Sequence, residues 1–456
     1  MRLLDFFNAG VENGLRLHQF LRYAIDVYGI GRTLVKVADG RRDPDITTFS
    51  VVTALLMAAV LRVPSLNELE HLLTTGQFQR LLGHRGAKHR GKALFSADTM
   101  VDVLDTLEVR TLQEALVEIV KKAERNKAFR DDTFGSSVCA AIDGWEPFCS
   151  YERHCAGCLI RQVKRTEKNE DGVEEVKLVP QYYHRFVVAF LIAPKIDLTL
   201  AIEPVRPEAL RIEAGEKEGC GDEGELTAAL RLLDRVHETY GCFIDVFALD
   251  GLYPCGPVLE KLKEHGYGAC IVTRDDGKDP YRFAESVWQT REKADVVIQD
   301  PETQEVVDFW ILKDVDALNT FKGSVDMVKA RVTRKNGKQS TWVMALAGKA
   351  KRLGLLVALR IMRARWHIEN TAFHQWVTKW NLDHCYRHTP NAITSVMHIW
   401  SIAFNLMQLF FYRRLKKPRR GRKAPDTIAA CVRTMWLDLG QLEEPVPWHL
   451  LMKNSS

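Results

Sequence analysis

Arg365 and Glu369, in the stretch RARWHIEN at 363–370, are four residues apart, so on a helix they lie one above the other on a single face. At about 100° per residue that face also carries Met362, Trp366, Phe373, Trp376 and Trp380, an apolar stripe suited to a core. A carboxylate there is costly unless a positive charge meets it. Either Arg365 supplies that charge as a partly buried ion pair, or the helix presents Glu369 to a cation.

Two other carboxylates stand in similar settings. Asp143 is set in AAIDGWE and Asp250 in ALDGLY, each inside an otherwise apolar run. An aspartate at a strand end can be a turn former. Three such groups brought together would instead make a site for hard cations, because Mg²⁺ prefers oxygen ligands and keeps room for water and phosphate oxygens. Two ions about 4 Å apart can activate a nucleophile and stabilise the leaving oxygen of a displacement at phosphorus.

The elements that must position these residues follow from periodicity. Residues 1–125 read as helical, through LLMAAVLRVPSLNELEHLL and TMVDVLDTLEVRTLQEALVEIV, the second with Ser96 or Asp98 as cap. SSVCAAIDGWE is a strand, and YYHRFVVAFLIAPKIDLTLAIEPV is two strands joined at 194–197. A helix over 224–241 stops on Gly241. Strand 242–253, helix 256–266 and strand 267–276 form a β-α-β unit, which implies parallel pairing. Residues 279–348 are β-type, with DVVIQD, VVDFWILKD and a hairpin at Asn336-Gly337. A long helix over 353–380 carries RARWHIEN, and an apolar helix covers 392–412. This is the element order of a ribonuclease H-like α/β fold, a mixed sheet flanked by helices. Its parts are a helical region 1–130, the sheet domain in two pieces at 131–278 and 349–412, a β-rich insertion at 279–348 and a basic C-terminal segment at 413–456.

In AAIDGWE, the GELTAALRLL helix, ALDGLY and above all RxRWxIENxxF at 363–373, the chain resembles the DDE transposases of bacterial insertion sequences, in the group with a β-rich insertion before the catalytic glutamate. The likeness covers about residues 135–410. It implies that Asp143, Asp250 and Glu369 are catalytic and hold two Mg²⁺ or Mn²⁺ ions, and that Arg365 holds phosphate or orients the glutamate. It implies cleavage at transposon ends and strand transfer into double-stranded target DNA, by a homodimer on DNA. Trp310, in the insertion, would stack on a displaced base, and base stacking is worth roughly 1–3 kcal/mol. A strand tryptophan can equally be core. The helical N-terminal region would read the element's ends, and PSLNELEHLL followed by FSADTMVDVLDTL could form a helix-turn-helix. Two positions depart from the family pattern: Met362 and Trp376 stand where a tyrosine and a lysine often serve DNA phosphates. Lys379 lies near the same face and could substitute. The departures keep open a catalytically inactive descendant that only binds DNA, and a nuclease of the same fold.

A second cluster is CSYERHCAGC at 149–158. Cys155 and Cys158 have CxxC spacing, with Cys149 and His154 beside them and His184 further on. One such pair could hold a structural Zn²⁺ or a redox clamp on a long loop between the first two strands, or be simply reduced thiols.

Composition bounds the rest. In a chain of 456 residues, 46% hydrophobic and 27% charged, an ordinary globular core is affordable. Ten cysteines with no secretory pattern at Met1–Gly10 suggest reduced thiols. The longest apolar runs, 51–61 and 402–412, are shorter than the roughly 20 residues a bilayer requires. A cytoplasmic protein with no membrane contact is expected, nucleoid-associated if bacterial. The formal charge is +5, yet 413–423 alone holds eight basic residues. Such a run attracts phosphate backbones by counterion release, or is a solvated tail.

Overall fold

The computed structural model describes residues 15–84, 91–168, 174–253, 255–273, 279–316, 321–415 and 424–448. Its N-terminal part is helical as the periodicity predicts: α1 (Arg16–Arg22), α2 (Ile30–Val35), α3 (Thr48–Leu61), α4 (Leu66–Leu72), α5 (Gly76–Leu81), α6 (Ala97–Thr106) and α7 (Val109–Arg125). Side-chain caps start several of them. Thr47 accepts from the Ser50 amide at α3, and Ser96 accepts from Thr99 at α6, each satisfying an amide that lacks an intrahelical partner. Helix α3 is buried along nearly its whole length.

Twelve strands follow among the described residues. They are β1 (Cys139–Trp145), β2 (Cys149–Ser150), β3 (Leu159–Lys168), β4 (Glu174–Tyr183), β5 (Phe186–Ile192), β6 (Leu198–Pro204), β7 (Val246–Leu249), β8 (Gly268–Val272), β9 (Val296–Gln299), β10 (Val306–Val315), β11 (Val325–Thr333) and β12 (Gln339–Ala347). Nine of them make one mixed sheet, in the order β6-β5-β1-β7-β8-β12-β11-β10-β9. Strands β1, β7 and β8 pair in parallel, whereas β6-β5-β1 are antiparallel neighbours. The unbroken apolar runs of β5 and β7 are buried throughout, as strands covered on both faces must be.

Two segments differ from the sequence reading. The block at 279–348 opens with a helix, Asp279–Gln289, and its strands extend the main sheet through antiparallel pairing of β12 with β8. The stretch read as a long loop after the first strand folds as a second sheet, β2-β4-β3, in which β3 and β4 form a long hairpin.

The remaining helices complete the layers: α8 (Glu208–Glu213), α9 (Glu225–Tyr240), α10 (Gly256–Glu264), α11 (Asp279–Gln289), α12 (Leu355–Ala364), α13 (His374–Trp380), α14 (Pro390–Leu409) and α15 (Ala424–Gly440). Between α12 and α13 the chain widens into a π-helical segment, Ile368–Phe373. Helix α9 lies on β5 and β6, α12 on β7 and β8, and the π segment on β1. Residues 390–414 form a helix long and apolar enough to cross a membrane by length and composition, although every residue of its apolar window is inside the fold. It packs on α3, α6, α7 and β6 and is a core helix.

The described part of the C-terminal segment is not a detached tail. Helix α15 packs on α1, α3 and α5. The Asp438 carboxylate accepts from the Leu17 amide, and the Trp436 and Trp448 indoles donate to the Leu61 and Leu81 carbonyls. Most of the basic run, 416–423, lies outside the described residues.

Candidate active site

Parallel pairing of β1 with β7 sets Ile142 beside Leu249, so the next residues, Asp143 still within β1 and Asp250 just past the end of β7, stand side by side. The carboxyl ends of parallel strands are where open α/β sheets hold ligands. Asp143 accepts from the Gly144 amide at 2.8 Å, and Asp250 accepts from the Leu252 amide at 2.8 Å. The turn-forming role of Asp250 is therefore real, and it leaves one carboxylate oxygen uncommitted to that bond.

The third carboxylate comes from the helix above. The α12 backbone runs helically into Arg365 and then widens at Ile368–Phe373. Single π turns of this kind change which side chain faces a neighbouring layer. Glu369 sits in that turn, and Arg365 bridges it to β1. Its Nη1 is 2.9 Å from Glu369 Oε1 and 3.4 Å from Asp143 Oδ2. The guanidinium is buried, stacks over the Trp366 ring at 4.8 Å, and leaves its Nε without a hydrogen-bond partner. The ion pair and the gathering of carboxylates thus coexist, with one arginine common to both.

The electrostatics record the crowding. Burial, reinforced by the Asp250 charge, pushes the Asp143 carboxyl up to about 7 against the pull of Arg365. Like charges that share a site disfavour ionisation of each other. The donor set is all hard oxygen and fits Mg²⁺ in kind, since a cation would relieve the strain that the raised Asp143 carboxyl expresses.

Side chains that sequence reading missed complete the edge. Glu225, first residue of α9, accepts from the Tyr253 hydroxyl at 2.9 Å and lies 3.5 Å from Arg185. It reaches the sheet beside Gly144, where a Cβ would fall 2.2 Å from Glu225 Oε2. Consecutive strand residues point to opposite faces, so Glu225 approaches from the face opposite Glu369. The DG pair closing an apolar strand was the available signal: only glycine leaves room for that approach. Burial, with the Glu225 charge next, drives the Tyr253 hydroxyl well above its ordinary value, so it stays a donor.

The other expected residues make contacts of their own. Lys379 is half-buried in the last turn of α13. Trp310 is buried on β10, with Arg331 5.1 Å and Lys329 5.9 Å from its ring. Met362 and Trp376 are both buried; Trp376 packs edge-on to Trp145 at 5.2 Å and to Phe404 at 6.2 Å. Those positions belong to the core here, which explains why neither carries a tyrosine or a lysine. Cys155 and Cys158 sit in the turn before β3, where their sulfurs meet His184 and His388. Among the described residues this is the only Cys, His, Asp or Glu group whose ligand atoms all lie within 4.8 Å of one another. The three carboxylates are spread more widely, with Arg365 between two of them.

The fold and edge define a mixed α/β protein with a polar centre of carboxylates at the mouth of a parallel ladder. Neither a family model nor a curated protein matches the chain. Among solved structures, it is similar to a piggyBac transposase synaptic complex with hairpin DNA, with a TM-score of 0.40 and 11% identity over 96% of this chain and 84% of that one.

Proposed function

We propose that the chain is a DDE-type transposase acting on double-stranded DNA, with Asp143, Asp250 and Glu369 as its catalytic carboxylates. The observation that carries this is the meeting, at the carboxyl end of the β1-β7 ladder, of two strand aspartates and a helix glutamate joined through Arg365. The ladder β6-β5-β1-β7-β8 has the element order of a ribonuclease H-like fold, which supports the same reading. Two Mg²⁺ or Mn²⁺ ions held by the three carboxylates would supply the positive charge that cleavage of a phosphodiester and joining of its 3′-hydroxyl require.

The chain's own residues do the positioning. Arg365 orients Asp143 and Glu369 and offers charge to phosphate. The Leu252 amide fixes Asp250. Asp143, with its carboxyl raised to about 7 in the metal-free chain, must lose its proton to hold a cation, so metal binding strengthens as pH rises through 7. Lys379 is the candidate phosphate contact, and Trp310 the candidate base-stacking residue. The partners would be transposon ends and target DNA bound by a homodimer, in the cytoplasm or nucleoid.

Incubation of the full chain with Mg²⁺ and DNA carrying the element's own ends tests the reading: cut and joined products are expected. Asp143→Asn and Glu369→Gln should each abolish both while binding to DNA persists. Retained cleavage in both variants contradicts it.

One observation favours a second reading, a DNA-binding protein without catalysis: Arg365 already pairs with both Asp143 and Glu369. In that case the wild-type chain binds DNA and cuts nothing, in Mg²⁺ or Mn²⁺. Cutting without joining would indicate a nuclease instead.

A further inference from the structure

Cys155, Cys158, His184 and His388 come from three distant parts of the chain: the turn between β2 and β3, the link between β4 and β5, and the residues just before α14. Their ligand atoms converge. The two sulfurs are 3.7 Å apart, His184 Nε2 lies 3.3 Å from Cys155 Sγ and 3.4 Å from Cys158 Sγ, and His388 Nε2 lies 3.3 Å from Cys158 Sγ. A tetrahedral ion with metal–sulfur bonds of about 2.3 Å and metal–nitrogen bonds of about 2.0 Å separates its sulfurs by about 3.8 Å and sulfur from nitrogen by about 3.5 Å. The observed edges match that figure. A disulfide would need the sulfurs at about 2.05 Å, and both cysteines are free.

The surroundings are built to hold the four groups. The Cys158 amide donates to the Cys155 carbonyl at 3.1 Å, closing the turn, and the Cys155 amide points at Cys158 Sγ at 3.3 Å. Gly157 lets that turn sit against the start of α14, because a Cβ there would fall 2.4 Å from Pro390 Cγ. The Phe148 ring covers both imidazoles, at 6.1 Å and 5.7 Å. Arg387 and Thr389, on either side of His388, bind Asp105 of α6.

We propose that these four residues bind one Zn²⁺ ion in a closed Cys₂His₂ site that pins the base of the β3-β4 hairpin to the start of α14. Two thiolates and two imidazoles suit Zn²⁺. Four protein ligands leave no position for a substrate, so the ion is structural. The site stands whether or not the carboxylate centre cuts DNA.

The test is the zinc content of the full-length protein after gel filtration, by elemental analysis and native mass spectrometry. One zinc per chain is expected, falling to none in His388→Ala and Cys158→Ser. His388→Cys, which keeps four donors, should retain one per chain and so separates a lost ligand from a misfolded chain. A chelator should speed proteolysis within 151–183 in the wild type and leave the zinc-free variants unchanged. A wild-type protein that carries no zinc after dialysis against Zn²⁺, or a His388→Ala variant that keeps one per chain, would overturn the site.

Discussion

Asp143 carries the largest electrostatic burden of the carboxylate centre. Its native carboxyl, at about 7 against an ordinary 3.8, means that the folded protein keeps a proton the unfolded chain has released. The stability this gives is fully present below about pH 4 and is lost as pH rises through 7, in total about 4 kcal/mol. Asp143→Asn should therefore raise the thermal midpoint of the metal-free protein by a few degrees at pH 8 and leave it nearly unchanged at pH 4, as scanning calorimetry at the two pH values would read. Arg365 acts in the opposite sense. Arg365→Met should cost about 3 kcal/mol in urea unfolding, and more at pH 8 than at pH 6, because Asp143 is ionised only above 7. Trp376 has a different role from the lysine that the family pattern places there. Trp376→Lys buries a charge and opens a cavity, so a loss of about 3–5 kcal/mol is expected, with no gain in DNA affinity. Equal stability of wild type and variant in urea would remove Trp376 from the core.

Elements show how much the sequence discloses. Asp143 and Asp250 stood out because each sits in an apolar run of sequence; the β-α-β order implied the parallel pairing of β7 with β8, whereas the β1-β7 ladder that sets the two aspartates side by side followed only from the element order of the whole sheet. The π turn that carries Glu369 was not legible: residues 363–373 keep an ordinary helical stripe, and the packing of Phe373 and Trp376 against Trp145 joins residues far apart in the chain. The β3-β4 hairpin was hidden for another reason. Its apolar residues Ile160, Val176 and Leu178 face solvent, and Pro180 within β4 argues against a strand. Proline is tolerated there because β2 pairs only with Tyr182 and Tyr183. The hairpin base is held by Arg161, paired with Glu146 at 2.7 Å and stacked over Tyr183 at 4.4 Å. Arg161→Ala should therefore increase hydrogen exchange across 159–183 while leaving β1 and β7 protected, an outcome mass spectrometry can resolve by segment.

At the scale of the whole molecule, contacts between distant parts of the chain tie the helical region to the sheet. Asn391, in the first turn of α14, donates to the Leu104, Asp105 and Leu107 carbonyls at the end of α6. Helix α15 closes the N-terminal helices rather than trailing from the sheet, a placement that no local pattern in 424–440 reveals because it depends on Leu17 and Leu61. Ending the chain after residue 415 should then loosen α1 and α3, seen as faster exchange over 16–61, with β1 and β7 unaffected. The same dependence on long-range contact explains why His388 escaped a reading that paired Cys155 and Cys158 with the nearer His184.

The proposed function requires three carboxylates from separate elements to act as one cation site. The direct measurement is Mn²⁺ binding to the full chain at pH 8, followed by titration with paramagnetic resonance detection. Binding should weaken at least about tenfold, or about 1.4 kcal/mol, in each of Asp143→Asn, Asp250→Asn and Glu369→Gln. Mn²⁺ affinities identical in the wild type and all three variants would contradict it.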